Sequence, residues 1–251
     1  MSTLYTFGCS FTADYSPVDD KDIVSNYDYY KKWRGGNLPD VWPTLLGLKM
    51  GYETKNRAVG GASNYLILKQ FMEFATHYKP NDVLIFGWTQ MSRFELVNVE
   101  ENKFNQILPC DNDFPGVGLS RTSLNQIFVN RTHPLWHEEI LMWISFINLF
   151  VHNIGAHVFH WTSDVEFHET ITEKYYWDHR FIKPLPNDRN LDVMGSICNI
   201  FDENGEKIKA NILEETNNEV KDGHFGEIGH KKQAELFYDY ITQYVKITKF
   251  L

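Results

Sequence analysis

Two residues far apart in the chain, Ser10 and His224, are of types that carry nucleophilic chemistry. Ser10 follows the apolar run Leu4–Phe7 and the turn-forming Gly8-Cys9, which places it at the carboxyl end of an expected buried strand. His224 ends the triplet Asp222-Gly223-His224, shortly before an amphipathic stretch. Between them lie a glycine-rich helix entrance, Gly60-Gly61-Ala62-Ser63-Asn64, and a polar strand end, Gly87-Trp88-Thr89-Gln90. On an open parallel sheet these four places converge on one rim. Cys9 is a rival nucleophile, because a thiolate paired with His224 would also attack. Beside a strand, however, its expected direction is into the core. Metal chemistry has less to build on. His133 and His137 are spaced i, i+4, but Pro134 leaves His133 outside the helix, and no zincin pattern follows. His157 and His160 have an odd offset on a strand and so face opposite ways. Asp111 and Asp113 lack EF-hand spacing. Neither a metal nor a cofactor is expected.

The elements that would position these residues follow from periodicity. Val83–Phe86 is an all-apolar strand ending in Gly87, and Ala156–Trp161 reads as another. An extended segment covers Tyr52–Val59. Helices are expected near Val41–Met50 and over Ser63–Tyr78, stopped by Pro80. The clearest helix spans Pro134–Ile154, where Trp136, Ile140, Trp143, Ile144, Ile147, Phe150, Val151 and Ile154 form one apolar stripe, with Gly155 as its stop. A last helix, about Ile228–Val245, carries Ala234, Phe237, Tyr238, Ile241 and Tyr244 at the same spacing, and His230 is expected on its surface. Strands alternating with helices point to a parallel sheet covered on both faces. Two segments break the rhythm, 90–133 and 162–221, the second with an expected hairpin turn at Asn204-Gly205. Both follow strand ends and are expected to wall the site within a single domain, 1–251.

Length and composition agree with that plan. The 251 residues are 43% apolar and 15% aromatic, enough for one sizeable core. A net charge of −9, with Lys31-Lys32-Trp33-Arg34 as the densest basic run, makes nucleic acid an unexpected partner. The longest greasy stretch, Ile140–Val151, is shorter than the ~20 residues of a membrane span. The first residues lack a secretory pattern, so a cytoplasmic location is expected. Three scattered cysteines give no disulfide framework.

The blocks Phe7-Gly8-Cys9-Ser10-Phe11-Thr12, Asn56-Arg57-Ala58-Val59-Gly60-Gly61-Ala62-Ser63, Gly87-Trp88-Thr89-Gln90 and Asp222-Gly223-His224 resemble, in order, the conserved blocks of the SGNH (GDSL-like) hydrolase family. The chain is similar to short SGNH-type proteins of marine bacteriophages and bacteria, which would also permit a virion-associated location. The resemblance implies a flavodoxin-like three-layer α/β/α sandwich with a mainly parallel sheet. It implies acyl transfer through a covalent acyl-enzyme, with Ser10 as nucleophile, His224 as base and Asp222 orienting the ring. The backbone N–H groups of Ser10 and Gly61, with Thr89, would hold the oxyanion.

Two departures stand out. Thr89 replaces the family's asparagine, and its hydroxyl has a shorter reach than an amide. Asp-x-x-His is contracted to Asp222-x-His224, leaving Glu219 as a second candidate acid. The expected substrate is an ester, an O-acetyl group on a glycan above all, because Trp33, Trp42, Trp88, Tyr175, Tyr176 and Trp177 could stack on sugars. Trp88 and Arg93 are the candidate substrate contacts. The alternative is a catalytically weak or inactive SGNH-like module that binds glycans or has a structural role.

Overall fold

The computed structural model of the chain describes residues 2–14, 39–98, 103–107, 120–131, 135–162, 199–201, 207–209 and 224–245. Eight strands occur among them: β1 (Thr3–Phe7), β2 (Glu53–Asn56), β3 (Val83–Trp88), β4 (Phe94–Asn98), β5 (Lys103–Ile107), β6 (His157–Thr162), β7 (Asn199–Phe201) and β8 (Lys207–Lys209). The helices are α1 (Trp42–Met50), α2 (Asn64–Glu73), α3 (Arg121–Arg131), α4 (Leu135–Ile154) and α5 (Glu227–Thr242). Four strands form a parallel sheet in the order β2-β1-β3-β6. Every residue of β1 and of β3 is buried, as continuous apolar strands covered on both faces must be. The polar β2 (Glu-Thr-Lys-Asn) is not buried at any position and lies at an edge of the sheet.

Helices cover both faces, so the described residues form three layers. On one side Phe71 of α2 meets Phe7 and Phe86 of the sheet and Phe150 of α4, each pair edge to face. On the other, Trp42 of α1 and Trp161 of β6 both pack on Phe237 of α5. The apolar stripe of α4 is real: Ile140, Ile144, Ile147 and Val151 are buried. Each such side chain contributes about 1.5–3 kcal/mol by leaving water. Helix α1 has no side-chain cap at its start. One of its early N–H groups, that of Trp42, instead donates to His230 Nδ1 of α5 at 3.2 Å.

Several expectations need correcting. His230 is not a surface residue: it is 3% exposed and fixes α1 against α5. Trp88 extends β3 past Gly87 and lies in the core, stacked on Phe86, with its indole N–H donating to His160 Nδ1 at 3.1 Å. With its ring stacked on Phe86 and its one donor taken by His160, it is a core residue and not a substrate contact. Trp42, also offered as a sugar platform, is fully buried. Helix α2 ends at Glu73, five residues early, and tight turns at Phe74, Ala75 and His77 replace its last stretch.

Within 90–133 the described part is the antiparallel hairpin β4–β5 and helix α3, joined by a small cluster of Phe94, Leu124, Leu96, Ile127 and Phe128. Strands β7 and β8 pair as an antiparallel hairpin, while Asn204-Gly205 lies outside the described residues. Trp33, Tyr175, Tyr176, Trp177 and His133 lie outside them too. Among the described residues, no helix is long and apolar enough to cross a membrane.

Candidate active site

In a sheet ordered β2-β1-β3-β6, the connections leaving β1 and β3 run to opposite sides, which opens a crevice at their carboxyl ends. Ser10 follows β1 and Thr89 follows β3. The chain leaves β1 in a tight turn, in which Cys9 O accepts from the N–H groups of Thr12 and Ala13, both at 2.9 Å. Gly8 has to be glycine, because a Cβ there would stand 2.5 Å from Thr12 Oγ1 and 3.3 Å from Gly87 O. Cys9 is 3% exposed and joins the core cluster, leaving Ser10 at the partly open surface of the turn.

His224 arrives from the other end of the chain. Ser10 Oγ and His224 Nε2 are 2.7 Å apart across 214 residues of sequence. With the ring proton on Nδ1, the serine hydroxyl donates to Nε2, which is the arrangement a general base needs. The imidazole is held by its neighbours. Its ring lies 4.7 Å from that of Phe11, tilted by 37°. The next residue, Phe225, is fully buried and contacts Phe11 and His230 edge to face. Gly226 then caps the start of α5. Asp222 and Glu219, the two candidate acids, lie outside the described residues.

The glycine-rich entrance of α2 stands beside the Ser10 turn. Arg57 N–H donates to Thr6 O at 2.8 Å and Val59 N–H to Gly8 O at 3.1 Å, so this segment runs alongside the end of β1. Gly61 follows with φ of +76°, a conformation that favours glycine. Ser63 caps α2 by accepting from Leu66 N–H at 3.1 Å, and its own hydroxyl donates to Glu95 Oε1.

Asn64, which the sequence reading did not single out, joins α2 to β3. Its Oδ1 accepts from Thr89 N–H and its Nδ2 donates to Thr89 O, both at 2.8 Å. That two-point clamp fixes Thr89 at 1% exposure. The Thr89 hydroxyl, by contrast, is buried without a hydrogen-bond partner among the described residues. An unsatisfied buried hydroxyl costs about 1–3 kcal/mol. No sequence signal distinguishes Asn64 from an ordinary first-turn residue, because its role depends on where Thr89 lies in space.

Arg93, the other candidate substrate contact, lies near the entrance of α2, lining one cavity with Ser63, Asn64 and Glu95. Among the described residues, no group of three His, Cys, Asp or Glu side chains gathers so as to hold a metal ion.

Neither a scan against protein-family models nor a search of curated proteins finds a match. Among solved structures, the chain is similar to a protein assigned to the G-D-S-L lipolytic family from Desulfitobacterium hafniense DCB-2. The identity is 10% and the TM-score 0.46, over 96% of this chain and 99% of that one. It is also similar to a carbohydrate esterase whose active site displays divergent catalytic and non-catalytic binding functions. There the identity is 13% and the TM-score 0.42, over 98% of this chain and 70% of that one. Likenesses this distant assign no activity to the chain.

Proposed function

We propose that the protein is a serine hydrolase that cleaves an ester, with an O-acetyl ester on a glycan as the favoured substrate class. The observation that carries this reading is the 2.7 Å contact between Ser10 Oγ and His224 Nε2 at the crevice beside β1 and β3. In the proposed reaction Ser10 Oγ attacks the ester carbonyl carbon while its proton passes to His224 Nε2. The bond from that carbon to the alcohol oxygen then breaks, and the alcohol leaves with the proton. Water, deprotonated by the same ring, splits the acyl-enzyme and restores the serine.

The oxyanion would accept from the backbone N–H groups of Ser10 and Gly61 and from the Thr89 hydroxyl. A partnerless buried hydroxyl beside β3 supports a donor kept for a ligand. Asp222 is assigned to orient His224 on the family resemblance alone, and Arg93 is assigned to the alcohol side of the substrate.

One feature favours the alternative, a binding module with little turnover. A threonine stands where the resembling family has an amide, and losing one oxyanion donor costs roughly 10²–10³ in rate. Hydrolysis of p-nitrophenyl acetate and of acetylated oligosaccharides by wild type, compared with Ser10→Ala, tests the choice. Turnover lost in the variant supports the enzyme. No turnover in wild type, with glycan binding that survives Ser10→Ala, supports the module.

A further inference from the structure

A cavity of about 220 Å³ opens between the start of α2, the chain following β3, and α4. Ser10 and His224 do not line it, but Asn64 does, and Asn64 is clamped to Thr89. It therefore lies on the same rim as the serine, on the α2 side. Its wall mixes charge with aromatic surface: Arg93, Glu95 and Glu139 beside Tyr65 and Trp143, whose ring centroids are 6.5 Å apart at 60°.

The charged groups are unequally engaged. Glu95 already accepts from Ser63 Oγ. Arg93 Nη1 is buried and has no hydrogen-bond partner among the described residues, an expensive state for a guanidinium N–H. The start of α2 adds to this, since Ser63, Asn64 and Tyr65 of its first turn line the cavity and that turn has no acidic residue. Helix dipole and guanidinium both favour an anionic group there. Two carboxylates on the same wall oppose a bare anion and call for hydroxyl donors beside it. The aromatic rings offer flat apolar surface. The volume is below the roughly 300–1,000 Å³ of drug-sized sites, which suits a single ring.

We propose that this cavity binds the carboxylate-bearing ring of an acidic sugar. The carboxylate pairs with Arg93, the ring hydroxyls donate to Glu95 and Glu139, and the ring lies against Trp143 and Tyr65. That this sugar is the alcohol part of the ester opened at Ser10 rests on the esterase reading; the binding itself does not. A charged cavity of this kind is unsuited to an acyl chain.

Calorimetric titration of the full chain with methyl β-D-glucuronide and methyl β-D-glucoside tests the proposal. Neither sugar carries an ester, so the heat reports binding alone. The glucuronide is expected to bind at least about tenfold more tightly. Arg93→Gln should bring the two sugars to within about twofold, and Arg93→Lys should keep part of the preference. Equal binding of the two sugars by wild type, or a preference that survives Arg93→Gln, overturns the proposal. If Arg93→Gln does not fold, the wild-type comparison and Arg93→Lys still decide. A glucuronide preference without hydrolysis of any ester would defeat the esterase reading and leave the cavity assigned. Hydrolysis of acetyl esters with no such preference would do the reverse.

Discussion

At the amino ends of the strands, Asp82 has every acceptor in use. Its Oδ1 accepts from Thr3 N–H and its Oδ2 from Lys79 N–H, both at 2.8 Å, and its carbonyl accepts from His157 N–H at 2.8 Å. At and beyond the carboxyl ends, polar atoms just as buried stand without partners among the described residues: Thr12 Oγ1, Thr89 Oγ1, Trp161 Nε1 and Arg93 Nη1. Gln70, within α2, is the one such side chain away from that rim among the described residues. Buried polar groups in native proteins are normally satisfied, so the imbalance separates an end built for stability from an end that keeps hydrogen-bonding capacity for something else. Ser10 and His224 lie at the second end.

Mutations should therefore divide by rim. The largest effect is expected at the serine pair: Ser10→Ala or His224→Ala should lower kcat on an acetyl ester by roughly 10⁴–10⁶. For Ser10→Ala the melting temperature should stay within a few degrees. A variant of either residue with near wild-type turnover would remove the pair from catalysis. The pH profile sharpens the same point. Only the neutral ring accepts the serine proton, so kcat/KM should fall on the acid side, and that limb should vanish in His224→Ala.

Thr89→Val comes next. It keeps the volume but removes the hydroxyl, and kcat should fall by roughly 10–10³. Stability should not drop, because the group removed has no partner. Reduced stability with unchanged kcat would make Thr89 part of the structural half. Asp82→Ala is the mirror experiment. It should cost about 1–3 kcal/mol in denaturant unfolding, through backbone N–H groups left without an acceptor, while kcat is unchanged. A large loss of kcat in the folded variant would blur the distinction between the ends.

The smallest effect concerns His157, at the amino end of β6, where burial holds the imidazole below its ordinary value. The fold favours the neutral ring, so its contribution to stability is complete above the ordinary histidine range. That contribution is lost as pH falls through the range toward the lowered folded value. His157→Asn should flatten that part of the stability–pH curve, and an unchanged slope would assign it to other groups.

How far these features could be read from the residues depended on whether they were periodic or spatial. The α4 stripe and the buried β3 were legible because apolar spacing reports burial directly. The placement of Ser10 just after β1 and of Gly61 ahead of α2 was legible because serine and glycine follow strand signals. His230 was misread although the signal was present: it shares offsets 0, 4, 7 and 11 with the buried Ala234, Phe237 and Ile241. Trp88 was misread because Gly87 was taken to end the strand, whereas β3 runs one residue further into the core. Asn64, the Arg93 cavity and the unsatisfied hydroxyl of Thr89 depend on elements meeting in three dimensions, and no window of sequence contains them.

The central claim is that Ser10, activated by His224, is the nucleophile. The most direct measurement is labelling of the intact protein with a fluorophosphonate, followed by peptide mass spectrometry. A single adduct on Ser10, absent from the His224→Ala variant, is the result predicted. An adduct on Cys9, or no adduct on Ser10 in folded wild-type protein, would contradict it.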